Sequence, residues 1–254
     1  MREKCRVLLA VKRQFMMKSF NLKALAIAGA LSISSAMPVC AATPIFDNTV
    51  NDLSIRFNTG FYEVGDQIIL APGNDRMLQT FSFEFWGTNT ANPTSFAGGA
   101  AVEARVRFYE NNGPLYHGYA SPGTKFYDSL WFSVPAPTAR DTFTFSAGSD
   151  FPVDGLFIPA DTMTWTIQFR GMESTDSLGV DLYSPPVVGT EYTDYWQNDG
   201  TGGWLLLTNG VSMSVDFAAY MDANPAIPEP SIGAISILGG LGMLGWAYRL
   251  RRNG

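Results

Sequence analysis

VEARVRFY, residues 102–109, decides the fold. Val102, Ala104, Val106 and Phe108 alternate with Glu103, Arg105, Arg107 and Tyr109, so an extended chain packs one face on a core and leaves the other wet. The same period of two recurs outward from this stretch. Phe81, Phe83 and Phe85 alternate with Ser82, Glu84 and Trp86; Met163, Trp165, Ile167 and Phe169 alternate with threonines and Gln168; Val211, Met213, Val215 and Phe217 alternate with Ser212, Ser214 and Asp216. Shorter strands are expected at 53–57, 67–70, 126–134, 141–146, 179–183 and 203–208. No segment between 43 and 227 carries a sustained apolar stripe of helical period.

Turn chemistry agrees. Asn209-Gly210 separates GWLLLT from VSMSVDF and predicts a hairpin, because both positions tolerate positive φ. Asn112-Gly113-Pro114, Pro72-Gly73-Asn74 and Pro122-Gly123 mark other reversals. Strands without intervening helices predict an all-β domain over 42–221, a two-sheet antiparallel sandwich of jelly-roll-like type. Residues 222–227 (DANPAI) read as a linker kept extended by Pro225 and Pro228.

Charge is unevenly spread along the 254 residues. Between positions 42 and 248 stand seven basic residues against 22 acidic ones, a net charge of −15, whereas the whole chain carries −6. Such a field repels phosphates, so nucleic acid is excluded as a partner.

The N-terminus has the parts of a secretory signal: a basic region ending at Lys23, the apolar run ALAIAGALSI (24–33), and Val39-Cys40-Ala41 as an A-x-A-like site with cleavage after Ala41. Residues 1–41 are thus expected to be a signal peptide, with Met16 or Met17 as alternative starts and an uncleaved anchor as the rival reading. Cys5 and Cys40 both fall in it, so the exported domain is expected to lack disulfides.

The C-terminus is more specific. Pro228-Glu229-Pro230 precedes SIGAISILGGLGMLGWAY (231–248), eighteen residues without a charge, then Arg249, Arg251 and Arg252. As a helix the apolar run spans about 27 Å, enough for a thin bilayer core. The arginines would hold the tail in the cytoplasm and leave the upstream domain outside. A plain stop-transfer anchor is the alternative. Pro228, Glu229, Pro230, Ser231, the helix and the terminal arginines together resemble the PEP-CTERM sorting signal over 228–254. The resemblance implies that an exosortase recognises and cleaves this tail after signal peptidase has acted on the leader. It implies passage through an inner-membrane intermediate to the cell surface or extracellular matrix of a bacterium that makes exopolysaccharide. The segments EVGDQIIL, FSFEFWG, VRFYENNGPL, GYASPGTKFYDS, LFIPADTMTWTIQF and VDLYSPPVVGTEYTDYW also resemble ectodomains of PEP-CTERM proteins, which implies a shared fold and no defined activity.

Catalytic material is thin. His117 is the sole histidine, on the loop PLYHGYASPG, and no G-x-S-x-G elbow or Walker pattern occurs. Gly240, Gly242 and Gly245 match G-x-G-x-x-G but sit inside the tail helix, not at a strand-to-helix turn. No enzyme and no cofactor is therefore expected. Calcium is the one ion the acidic loops could hold, with Asp150 and Asp154, Glu173 and Asp176, or Asp194 and Asp199 as ligands. Tyr192, Tyr195 and Trp196, in a polar, loop-like stretch beside Gln197 and Asn198, could stack on sugar rings. The expected role is structural or adhesive, beside exopolysaccharide. The rivals are a carbohydrate-binding module and a glycoside-active surface enzyme.

Overall fold

The computed structural model describes residues 41–208 and 214–226. The strands are Thr43–Asp47 (β1), Asp52–Asn58 (β2), Val64–Ile69 (β3), Asp75–Asn89 (β4), Glu103–Glu110 (β5), Leu115–Tyr116 (β6), Tyr119–Ala120 (β7), Lys125–Asp128 (β8), Phe132–Ser133 (β9), Thr138–Ser146 (β10), Leu156–Phe157 (β11), Thr162–Arg170 (β12), Asp176–Tyr183 (β13), Thr190–Asn198 (β14), Trp204–Leu207 (β15) and Ala219–Pro225 (β16). Among the described residues the helical structure is a single 3₁₀ turn, Gly99–Ala101, and no helix is long and apolar enough to cross a membrane.

One sheet runs β1-β16-β4-β13-β2, with β10 and β11 on the opposite side of the long β4; the other runs β15-β14-β3-β12-β5-β8, with β9 also on β5. These pairings are antiparallel. The alternation in 102–109 does what it predicts: Val102, Ala104, Val106 and Phe108 are wholly buried. Trp165 lies at the centre of the core. Its ring meets Phe81 and Phe83 of the facing sheet at 5.3 and 5.7 Å, and Phe217 at 5.7 Å. Phe81 also packs edge-on to Phe108 at 5.0 Å, so the two sheets press their apolar faces into one aromatic-rich core.

Three sequence expectations change. Residues 222–225, read as linker, are the end of β16, which lies between β1 and β4. Met221 and Ala223 are wholly buried and alternate with Asp222 and Asn224; a period carried by small alanines is easily taken for linker composition. Residues 126–134 divide into β8 and β9, both on β5, because Leu130 takes a left-handed backbone (φ 59°) that interrupts the ladder. The strand expected at 211–217 is not formed where it is described: 214–216 lie outside any strand, and Phe217 makes an isolated bridge to Leu182. Asn209-Gly210 lies outside the described residues, and β15 pairs with β14.

One close approach demands glycine. A Cβ on Gly179 of β13 would sit 1.8 Å from the carbonyl oxygen of Phe57 on the neighbouring β2.

Candidate functional site

The strands of the second sheet turn a polar face away from the core. Thr164 and Thr166 of β12 lie on it yet are buried, because Asn111 after β5 bonds the first and Glu63 of the loop before β3 bonds the second. Glu63 is the hub of that cover. It pairs with Arg107, accepts from the Tyr109 hydroxyl at 3.0 Å and accepts from Thr166 Oγ1 at 2.8 Å. Burial, reinforced by the Glu63 charge, raises the Tyr109 phenol well above its ordinary value, so it stays a neutral donor. Asp128 goes the other way. Its burial opposes ionisation, but hydrogen bonds from Arg105 and Lys125 win and hold it well below the usual carboxylate range.

At the end of this face opens a groove of about 500 Å³, lined by Gln67 of β3, Glu110 closing β5, Asn111 and Asn112 of the following turn, Asp161 before β12 and Tyr192 of β14, with alanines and Thr162 between them. Its polar groups are held in place. Asn111 donates to Thr164 Oγ1 at 2.8 Å, and its own Oδ1 is buried with no protein partner. Asn112 donates to Thr124 Oγ1 at 3.0 Å and accepts from the Thr124 amide at 2.7 Å. Asp161 is gripped through one oxygen by Arg76, Nε at 3.0 Å and Nη2 at 2.5 Å. Gln67 accepts the Trp196 indole N–H at 3.0 Å, which turns its amide nitrogen away from that bond as a free donor. Amides, carboxylates and one partly exposed phenol ring around an open trough can hydrogen-bond hydroxyls and stack on an apolar ring face.

Of the three aromatics expected to stack on sugar, only Tyr192 stands in this groove with an exposed ring. Trp196 is wholly buried, with Tyr116 of the β6–β7 hairpin edge-on to it at 6.4 Å. Tyr195 faces the core, 4.9 Å from Phe57. The stretch is a strand and not a loop, so neighbours 195 and 196 point to opposite faces and the three cannot form one platform.

Three of the six candidate calcium ligands accept backbone amides. Asp176 accepts the amides of Ala97, Gly98 and Glu173; Asp150 accepts the Ser146 amide; Asp199 accepts the amides of Thr201 and Gly203. Among the described residues no group of three His, Cys, Asp or Glu is placed to hold a metal ion. His117 occupies the β6–β7 turn with φ 51°, its ring 4.4 Å edge-on to Tyr116. Ala41, the expected cleavage residue, is exposed two positions before β1. Pro228, Glu229, Pro230, Ser231, Arg249, Arg251 and Arg252 lie outside the described residues.

Gln67, the run Glu110-Asn111-Asn112 and Asp161 carry no sequence signal as a site because three segments far apart along the chain supply them. A second hollow of about 460 Å³ opens on the flank between β8–β9 and β10, floored by Phe132, Phe143, Phe145 and Tyr127. No family model, no curated protein and no solved structure matches this chain.

Proposed function

We propose that this chain is an exported, non-enzymatic adhesive protein whose jelly-roll-like sandwich holds polysaccharide in the Tyr192 groove. The observation that carries the reading is the convergence of Gln67, Asn111, Asn112, Glu110 and Asp161 on a trough beside one exposed aromatic ring. That composition suits a neutral, hydroxyl-rich ligand, and the acidic domain argues against an anionic one.

The delivery half of the proposal rests on the termini. Signal peptidase would remove 1–41; the helix 231–248 would hold an inner-membrane intermediate; exosortase would then read Pro228-Glu229-Pro230 and release the protein to the surface or matrix. Protein isolated from the producing cells tests both halves. Intact mass should show residues 231–254 removed, and co-sedimentation with the cells' own exopolysaccharide should fall at least tenfold for Tyr192→Ala with thermal stability unchanged. Retention of the tail in exported protein would defeat sorting. Equal co-sedimentation by Tyr192→Ala would defeat the groove, and turnover of the polysaccharide would make the protein an enzyme.

A further inference from the structure

Directly beside Tyr192, Glu191 points inward: it stands opposite Ile68, a wholly buried core residue of β3. There it meets other acids. Asp66 and Asp216 are buried to within 1% of completely, and Asp194 of β14 adds a further negative charge nearby. Among the described residues no Lys, Arg or His forms an ion pair with any of these four. The partners are uncharged: Ser184 and Ser214 hydrogen-bond Asp216, and Asn48, also wholly buried, donates from Nδ2 to Glu191 Oε2 at 3.2 Å and to the carbonyls of Tyr183 and Phe217 at 2.9 and 3.3 Å. Asp66 Oδ2 accepts the Phe217 amide at 2.9 Å.

That leaves Asp66 Oδ1, Asp216 Oδ1, Glu191 Oε1 and Asn48 Oδ1 buried with nothing to accept from. Several ionised carboxylates this close together, with one oxygen of each unpaired and no counter-ion, are untenable in a protein interior. No three of them are placed to share a metal ion. Protons resolve the problem. Glu191 and Asp216 are within hydrogen-bonding reach of one another, and one proton between them supplies the missing donor. Burial first, then the Asp66 and Asp216 charges, push the Glu191 carboxyl up to about 11; burial and Asp216 likewise raise Asp66.

The cluster sits under a defect in the sheet. Between the pairs Glu191–Ile68 and Tyr195–Asp66, three residues of β14, Tyr192 to Asp194, oppose Gln67 alone. This bulge presents Tyr192 to the groove, and both of its anchoring pairs are rooted in the acidic cluster.

We propose that Glu191, Asp66 and Asp216 form a proton-held latch: with the Glu191–Asp216 proton in place they pin the β14 bulge and so keep Tyr192 in the groove; with all three ionised they repel one another and release it. The latch stands on the interior geometry, and only its effect on ligand binding rests on the groove reading. Because the folded chain holds these protons more tightly than the unfolded chain, the associated stability is complete below the ordinary carboxylate value. It declines progressively as pH rises from that value and is gone once pH has passed the folded one, by up to tenfold in the folding constant per pH unit for each proton.

Hydrogen exchange of the full-length protein between pH 5.5 and 9.5 tests this, with protection factors corrected for the intrinsic exchange rate at each pH. Amides of 190–196 should lose at least tenfold more protection than those of β12 across the range, and Glu191→Gln should remove most of that excess. If Glu191→Gln does not fold, Asp216→Asn should have the same effect. Protection in 190–196 that tracks β12 at every pH would overturn the latch, as would a folded Glu191→Gln protein with unaltered pH dependence. Full restoration at pH 9.5 by millimolar calcium would also overturn it, by making the cluster a cation site. Loss of polysaccharide binding at all pH values with the exchange pattern intact would strike the groove alone.

Discussion

Replacing Trp196 by alanine separates a binding ring from a structural one. The indole is wholly buried, and its N–H is held by Gln67. Removing a buried tryptophan costs about 3–5 kcal/mol in cavity and transfer terms. The abandoned Gln67 oxygen adds about 1 kcal/mol, less if water reaches it from the groove. In a domain of this size 1 kcal/mol moves Tm by roughly 2–4 °C, so Trp196→Ala should lower it on the order of 10 °C. Trp196→Phe retains most of the packing and gives up only the hydrogen bond, so about 1–2 kcal/mol should be lost. Thermal unfolding followed by near-ultraviolet circular dichroism measures both. Polysaccharide co-sedimentation below the transition should be nearly unchanged for Trp196→Phe. A Trp196→Ala protein that melts within 2 °C of the parent yet no longer binds would refute the argument, because the ring would then stand in solvent.

Two further substitutions probe the frame that carries the groove. Gly179→Ala forces a methyl against the Phe57 carbonyl, so β2 should separate from β13 and the protein should accumulate in the insoluble fraction; a soluble variant with a Tm within 3 °C of the parent contradicts the close approach. Glu63→Gln removes the nearer of the two carboxylates beside Arg107, leaving Asp128 Oδ2 3.5 Å from its Nε, and should cost about 1–3 kcal/mol in urea-unfolding measurements. Double replacement with Arg107→Met should recover part of that loss, whereas an additive result would show that the pair is uncoupled.

The strand content was legible because burial imposes a period of two wherever the apolar residues are large. Residues 102–109 and 162–169 carry it in full, and both became central strands. The period fades in β16, where alanine replaces the bulkier side chains, and the end of that strand has the composition of a linker. The positive φ at Leu130 was equally silent, since leucine gives no warning of a left-handed backbone.

The groove and the interior acids were legible only in part. Tyr192 could be picked out as an aromatic in polar company, but whether 195 and 196 joined it depended on which face each occupied. Nothing in the string TEYTDYW distinguishes a surface acid from a buried one, and Glu191 looks like any solvated glutamate until β3 and the 214–218 segment close over it. Local periodicity and composition determine that this chain forms antiparallel sheets with an acidic exterior, because those depend on neighbours a few residues apart. Which polar side chains meet across the groove, and which carboxyls are cut off from water and counter-charge, was decided by the packing of strands far apart along the chain. Desolvation and contact are properties of that assembled arrangement and have no local sequence signature.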